Sequence, residues 1–292
     1  MVFENVTITI PLYRSIKFKD IVLKNIEKLV GACNIIISDC TEEDNLLQDI
    51  KTLYLDFPNV RIIGKRNIGE GWVLHWNDLM NQVDTEYFMW LSHDDEIDLS
   101  WISENMQNLK NNPQLAGSFG LLERVFEDGS LMEFGARFPG IVDNKRNFRA
   151  NQLIEGWHLA IALRAVWNKS KVFPFLRTYG AQDEWADVVW VYGVLLEHPI
   201  DQISIVSYRK RWHAGSAHAD WTEFDLVVLL PFLKQEIERR NLSLEIFGEL
   251  FEICEGKIIN QRREWNELLN STFWRITAPL RTFMRIIKQV KN

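Results

Sequence analysis

The feature that most restricts the fold is an alternation near the N-terminus, where short apolar runs of strand length trade places with segments of helical periodicity. Val6–Pro11, Asn34–Ser38, Val60–Ile63 and Tyr87–Leu91 read as strands, rich in Ile, Val and β-branched Thr. Between them, Lys19–Val30, Glu42–Phe57 and Glu70–Val83 read as helices. In the first of these, Ile21, Val22, Ile26, Leu29 and Val30 recur at helical spacing and stop before Gly31. A fourth helix over 99–111 stops near Pro113. Strands joined by crossover helices of this length run parallel. The pattern therefore predicts an α/β fold with a mainly parallel central sheet flanked by helices on both faces. Ligands of such sheets gather beyond the carboxyl ends of the strands. Here that edge carries Pro11-Leu12-Tyr13, Asp39 and Ser92 to Glu96.

Composition narrows the function classes. With 292 residues the chain can bury a substantial core, and its formal charge of -7 argues against non-specific nucleic-acid binding, which neutralises phosphates with Lys and Arg. Cys33, Cys40 and Cys254 are odd in number and show no metal spacing, which predicts reduced thiols. Glu4 and Asn5 interrupt any signal-peptide-like run, and no apolar stretch reaches the roughly 18–20 residues that span a bilayer. A cytoplasmic protein is expected. Twelve tryptophans are unusual; they supply packing area, and indole faces also serve as sugar-stacking platforms, with nothing in the composition to say which ring does which.

Three carboxylates, Asp94, Asp95 and Glu96, follow directly on the buried run Tyr87-Phe88-Met89-Trp90-Leu91. So much negative charge at one strand end calls for a cation, and Mn²⁺ or Mg²⁺ bridging carboxylates to phosphates is one solution. A solvated loop that starts the next helix is another. Two more segments carry chemistry. Gly180-Ala181-Gln182-Asp183-Glu184-Trp185 puts carboxylates at the start of an apolar helix, either as a general base or as a first turn answering the helix dipole. Tyr208-Arg209-Lys210-Arg211-Trp212-His213 gathers cations and a histidine after a strand, and Arg209 and Arg211 could clamp phosphate oxygens.

Over about residues 5–215 the order of these features resembles the family 2 glycosyltransferases, inverting enzymes of the GT-A fold. Val6 to Tyr13 is similar to that family's opening strand, with Arg14 where Asn is usual. Ile35-Ile36-Ile37-Ser38-Asp39 is similar to its Val-Asp-Asp strand end, and Leu91-Ser92-His93-Asp94-Asp95 to its Leu-Asp-x-Asp-Asp strand end; in both, Ser replaces the first Asp. Asn67-Ile68-Gly69 resembles its Asn-x-Gly segment. The resemblance implies a nucleotide-sugar donor, with a UDP-sugar favoured. Pro11 and Tyr13 would flank the base, Asp39 would accept the uracil N3–H, and Asn67, Ser92, Arg209 and Arg211 would complete the donor site. Asp94 and Asp95 would bind ribose and metal, with His213 as a further metal ligand and His218 a less certain one. Asp183 is the preferred base, Glu184 stands close behind, and Asp187, one turn along, is a third choice.

The resemblance also implies a GT-A type nucleotide-sugar-binding domain over 1–220, split into a nucleotide-binding half (1–115) and an acceptor-binding half (116–220). A helical C-terminal region over 221–292 would follow. Within the second half the sequence predicts a hairpin at Glu127-Asp128-Gly129, helices over Leu159–Asn168 and Asp183–Glu197, and a strand over Ile203–Tyr208. The tail ends in a basic amphipathic segment, in which Ile276, Leu280, Phe283, Met284, Ile287 and Val290 face one side and Arg275, Arg281, Arg285, Lys288 and Lys291 supply positive charge. It suits peripheral membrane contact at the inner face of the cell membrane, docking on its own domain, or a homodimer contact. The acceptor implied is a glycan, lipid-linked or free, in bacterial cell-surface polysaccharide synthesis. Two rivals remain: a degenerate member binding a glycan or partner without turnover, and a sugar-phosphate nucleotidyltransferase. The latter would want a glycine-rich loop where Pro11-Leu12-Tyr13-Arg14 stands.

Overall fold

The computed structural model describes residues 2–40, 45–65, 71–134, 161–179, 183, 185–213 and 226–252, together with 255, 256, 259 and 263. The chain divides into two compact units, Met1–Leu242 and Ser243–Asn292. Asn67, Glu184 and His218, and the basic tail beyond residue 263, lie outside the described residues.

The first unit is a mixed α/β layer structure. Its nine described strands form one sheet in the order β3-β2-β1-β4-β8-β6-β9-β5, with β7 paired to β6. The first block is β1 (Phe3–Leu12), β2 (Cys33–Asp39), β3 (Val60–Lys65) and β4 (Tyr87–Trp90), and all its pairings are parallel. Helices α1 (Lys19–Leu29), α2 (Leu46–Tyr54) and α3 (Trp72–Asn81) make its crossovers. The strands are apolar on both faces because helices cover both: Val6, Ile8, Ile10 and Leu12 are buried in β1, and so are Thr7 and Thr9.

The second block turns the sheet mixed. β5 (Glu96–Ile97) pairs antiparallel with β9 (Ile200–Arg211), and β6 (Gly117–Val125) runs parallel to β9. The predicted hairpin turn joins β6 to β7 (Leu131–Phe134), with Gly129 at a φ of 80°. The predicted helix over Leu159–Asn168 is corrected: Val166–Asn168 is strand β8, antiparallel to both β4 and β6. Val166 and Trp167 fit a fully buried strand as well as a helix, and spacing alone cannot separate the two over so short a run.

Three more helices are described in this unit. In α4 (Leu99–Asn111) the buried positions Trp101, Ile102, Asn105, Met106 and Leu109 form a single stripe. By contrast α5 (Ala186–Glu197) is buried on every side from Ala186 to Leu196, a helix enclosed by protein. α6 (Leu226–Arg239) packs on α5, where Glu236 accepts from Arg239 and from Arg240 over the small surface of Gly193. Among the described residues, no helix is long and apolar enough to cross a membrane.

Candidate functional site

The parallel block brings the ends of β1, β2 and β4 to one edge, with β1 between the other two. Leu12 pairs with Asp39 at the ends of β1 and β2. Tyr13, just beyond β1, is 51% exposed, whereas Pro11 is buried within the strand. Asp39 is buried at 2% exposure, and its neighbour Ser38 is held by α3: His75 Nε2 lies 3.1 Å from Ser38 Oγ, and its Nδ1 lies 3.3 Å from Cys40 Sγ. Burial drives the His75 pKa down to about 4, so the ring is neutral. A neutral imidazole thus supports Ser38 beside Asp39.

After β4 the backbone turns, with Asp95 N–H donating to the Ser92 carbonyl at 3.2 Å. Asn25 of α1 fastens this turn twice. Its amide donates to the Asp95 carbonyl (2.8 Å) and its Oδ1 accepts from Ile97 N–H (3.2 Å). The turn separates the two aspartates into different environments. Asp94 is 21% exposed on its side chain and lies 3.2 Å, Oδ2 to Nε2, from His213, which follows β9 and is 11% exposed. Burial pushes the Asp94 carboxyl up, but His213, His93 and Arg164 outweigh it and hold it below the usual value. The Phe18 ring packs against both His93 and His213, with centroids 5.3 and 5.0 Å away.

Asp95, expected beside Asp94 on the metal, is turned inward at 1% exposure. Its Oδ2 accepts from Tyr208 Oη at 2.8 Å and from Arg164 Nε at 3.3 Å, and its Oδ1 accepts from Arg211 N–H at 3.0 Å. Burial and the adjacent Asp94 charge raise its pKa. With three donors converging on it, this carboxylate is a buried tie between β4 and β9. That environment does not suit a metal ligand. Burial disfavours the charge on Arg164, yet Asp95, Tyr208 and Asp94 keep it protonated. Asp187, the third-choice base, is also fully buried and accepts from Val188 N–H at 2.8 Å.

The expected arginine clamp is largely committed elsewhere. Arg209 Nε donates to Glu123 at 3.0 Å, and Arg211 NH2 to Glu96 at 3.2 Å. Glu96, the third acidic residue of the run, is further neutralised by Lys24 at 2.9 Å. Arg211 also keeps a buried Nε without a partner among the described residues and lines a pocket of about 270 Å³ with Lys17, Phe18, Asp20 and Ile21. Through Phe18 this pocket adjoins the Asp94–His213 pair.

Asp183 adopts a positive φ of 56° and is 8% exposed. Tyr179 N–H donates to its Oδ1 at 2.9 Å, and Tyr179 Oη in turn donates to Glu236 at 2.6 Å. Its Oδ2 faces the start of α3, where a Cβ at Gly71 would sit 3.2 Å away. Burial raises the Asp183 pKa. The same helix α3 therefore touches Asp183 at its first turn and Ser38 through His75. Among the described residues no cluster of three or more His, Cys, Asp or Glu side chains is arranged to hold a metal. Asp94 and His213 offer two groups, a set that Mn²⁺ or Mg²⁺ could complete with phosphate oxygens and water.

Sequence reasoning missed Arg164 and Asn25, gave Tyr208 no role within its segment, and left His75 structural or unassigned. Arg164 alone carried a readable signal, a single cation inside the apolar run Leu159 to Trp167. Buried charges are rare without a partner.

No family model and no curated protein sequence matches the chain. Among solved structures it is similar to S. aureus TarS 1-349 in complex with UDP-GlcNAc, with a TM-score of 0.59 at 14% identity over 85% of this chain and 72% of that one. The same TarS fragment in complex with UDP gives a TM-score of 0.57 at 13% identity, covering 92% of this chain and 72% of that one. At these identities the likeness is one of fold.

Proposed function

We propose that this chain is an inverting glycosyltransferase that uses a nucleotide sugar, with a UDP-sugar as the favoured donor. The observation that carries the reading is the meeting of Asp94 and His213, from the ends of β4 and β9, on the sheet edge that also ends in Asp39. The fold in which TarS holds UDP-GlcNAc supports the same choice. Tyr13, exposed beyond β1, flanks the base, and Asp39 accepts its N–H. Asp94 and His213 are the groups that would hold Mn²⁺ or Mg²⁺, and the ion, when bound, offsets negative charge on the departing diphosphate. Asp95 takes a supporting role in this reading, fixing the turn that presents Asp94.

Asp183 is the base. Its Oδ1 is held by Tyr179 N–H, which leaves Oδ2 to take the proton of an acceptor hydroxyl. The acceptor oxygen forms a bond to the sugar's anomeric carbon as the bond to the diphosphate oxygen breaks on the opposite face. The diphosphate leaves with the electron pair. Burial raises the Asp183 pKa and so makes it a stronger base than an exposed carboxylate, which suits this step. The acceptor is a hydroxyl of a growing bacterial cell-surface glycan, lipid-linked or free. The basic tail past Ser271 is the candidate for contact with the inner face of the membrane.

Thermal-shift screening against UDP-, GDP-, dTDP- and CMP-sugars with Mn²⁺, followed by transfer assays on Asp94→Ala and Asp183→Asn, tests the proposal. Asp94→Ala should lose the metal-dependent shift. Asp183→Asn should keep it and lose transfer by about 10²–10⁴-fold. If both variants transfer sugar at the wild-type rate, the site is wrongly assigned. A donor shift with no transfer to any glycan would favour the degenerate, binding-only alternative.

A further inference from the structure

Five of the chain's twelve tryptophans form one continuous ladder from the surface to the core. Trp72 meets Trp76 edge to face at 5.1 Å, Trp76 meets Trp90 at 5.3 Å, Trp90 meets Trp190 at 5.3 Å, and Trp190 meets Trp167 at 4.9 Å. The inner three are fully buried and supply core packing. Trp72 and Trp76, on the first turns of α3, are only half-buried. Two large indoles that stay partly exposed keep apolar area available to a ligand, a use that core packing does not assign.

Their position does. Trp72 immediately follows Gly71, whose Cα approaches Asp183 so closely that a Cβ there would lie 3.2 Å from Oδ2. Gly71 itself has a φ of 121°, a conformation that favours glycine, so the helix start and the carboxylate are set against each other by the backbone. Further along α3, Asn77 donates to the Leu176 carbonyl at 2.6 Å and ties the helix to the segment that leads to Asp183. An indole pair beginning one residue from a carboxylate joins a broad apolar surface to a hydrogen-bond acceptor.

We infer that Trp72 and Trp76 form a stacking platform for a pyranose ring of the acceptor glycan, beside Asp183. The inference deepens the glycosyltransferase reading and rests on it. A pyranose presents an apolar C–H face and a polar rim; the face lies on an indole while a rim hydroxyl reaches the carboxylate. The ring in question belongs to the acceptor, because the donor is held through its nucleotide at Asp39, Asp94 and His213. The molecule that must offer a hydroxyl to Asp183 is the other substrate. The buried tryptophans behind the pair fix it in place, so little ordering cost falls on binding.

The test uses the full chain labelled with 5-fluorotryptophan, with the Trp72 and Trp76 ¹⁹F signals identified through Trp72→Phe and Trp76→Phe. It is titrated with a panel of gluco-, galacto-, manno- and N-acetylhexosamine disaccharides, and separately with UDP. At least one disaccharide should move both signals. Trp72→Ala should weaken that disaccharide by about tenfold or more, Trp72→Phe should keep most of the affinity, and UDP affinity should stay within about twofold in all variants. Signals that no disaccharide moves, or that UDP alone moves, overturn the platform. UDP failing to bind the unsubstituted protein would instead sink the donor reading, while the saccharide titration would still decide the platform.

Discussion

Replacing Tyr208 with Phe removes one oxygen and nothing else, and so measures what Asp95 does. In the native protein Asp95, itself 1% exposed, accepts from Tyr208 Oη at 2.8 Å, Arg164 Nε at 3.3 Å and Arg211 N–H at 3.0 Å. Tyr208 contributes the shortest of the three. A buried hydrogen bond to a charged group contributes about 1.5–3 kcal/mol, and no ring volume is lost, so Tyr208→Phe should cost about 2 kcal/mol. For a unit the size of Met1–Leu242 this corresponds to a Tm lower by about 4–8 °C. Arg209→Ala is the control: its ion pair with Glu123 is exposed by 39% and 29% on the two sides, and such pairs contribute about 0–1 kcal/mol. The assay is urea denaturation followed by far-UV circular dichroism, beside a thermal melt and a titration with UDP and Mn²⁺. Stability should fall while UDP affinity stays within about threefold. A Tyr208→Phe protein that melts within about 1 °C of the parent but loses UDP binding would show that Asp95 serves the ligand rather than the scaffold.

Other outcomes follow from single contacts. His75 is neutral when folded, with a pKa of about 4 against the ordinary 6.5, so the folded state resists a proton that the unfolded chain accepts. Its stabilising contribution is whole above the unfolded value and is lost as pH falls through the folded one, by roughly 3 kcal/mol in all; His75→Gln should flatten that part of the stability–pH curve. Because burial raises the Asp183 pKa, the acid limb of kcat/KM should lie above that of an ordinary carboxylate, with activity lost as pH falls through it. A limb at the ordinary carboxylate value would remove Asp183 as base. Glu236, 1% exposed, accepts from Tyr179 Oη (2.6 Å) and pairs with Arg239 and Arg240. Glu236→Gln should therefore lower stability by about 3–5 kcal/mol in chemical denaturation. The folded fraction should show a lower kcat with KM for the donor unchanged, since Glu236 reaches Asp183 only through Tyr179. At Gly117 a Cβ would meet the Trp167 ring at 2.5 Å, so Gly117→Ala should destabilise by about 1–3 kcal/mol in chemical denaturation. Trp167→Leu should cost less in the Gly117→Ala chain than in the native one, a coupling that a double-mutant cycle reads.

The sequence by itself determined the parallel block and the strand ends that gather at one edge of it. Strand runs and helical spacing are local patterns, and the crossover rule converts them into topology without knowledge of distant contacts. It also marked Asp39, Asp94, Asp183 and His213 as candidates, because each sits just past a strand or before a helix. The surroundings of each were decided only in three dimensions. Asp94 and Asp95 are adjacent and chemically identical, yet the turn pinned by Asn25 sends one toward His213 and buries the other against Tyr208 and Arg164. Those partners lie 69 to 119 residues away in the chain, beyond the reach of any local pattern. The same holds for Val166–Asn168, where complete burial erased the difference between helix and strand, and for the ladder of five tryptophans, in which only packing tells the three core rings from Trp72 and Trp76. A side chain's environment is the sum of what the rest of the chain brings to it, and that sum forms only on folding.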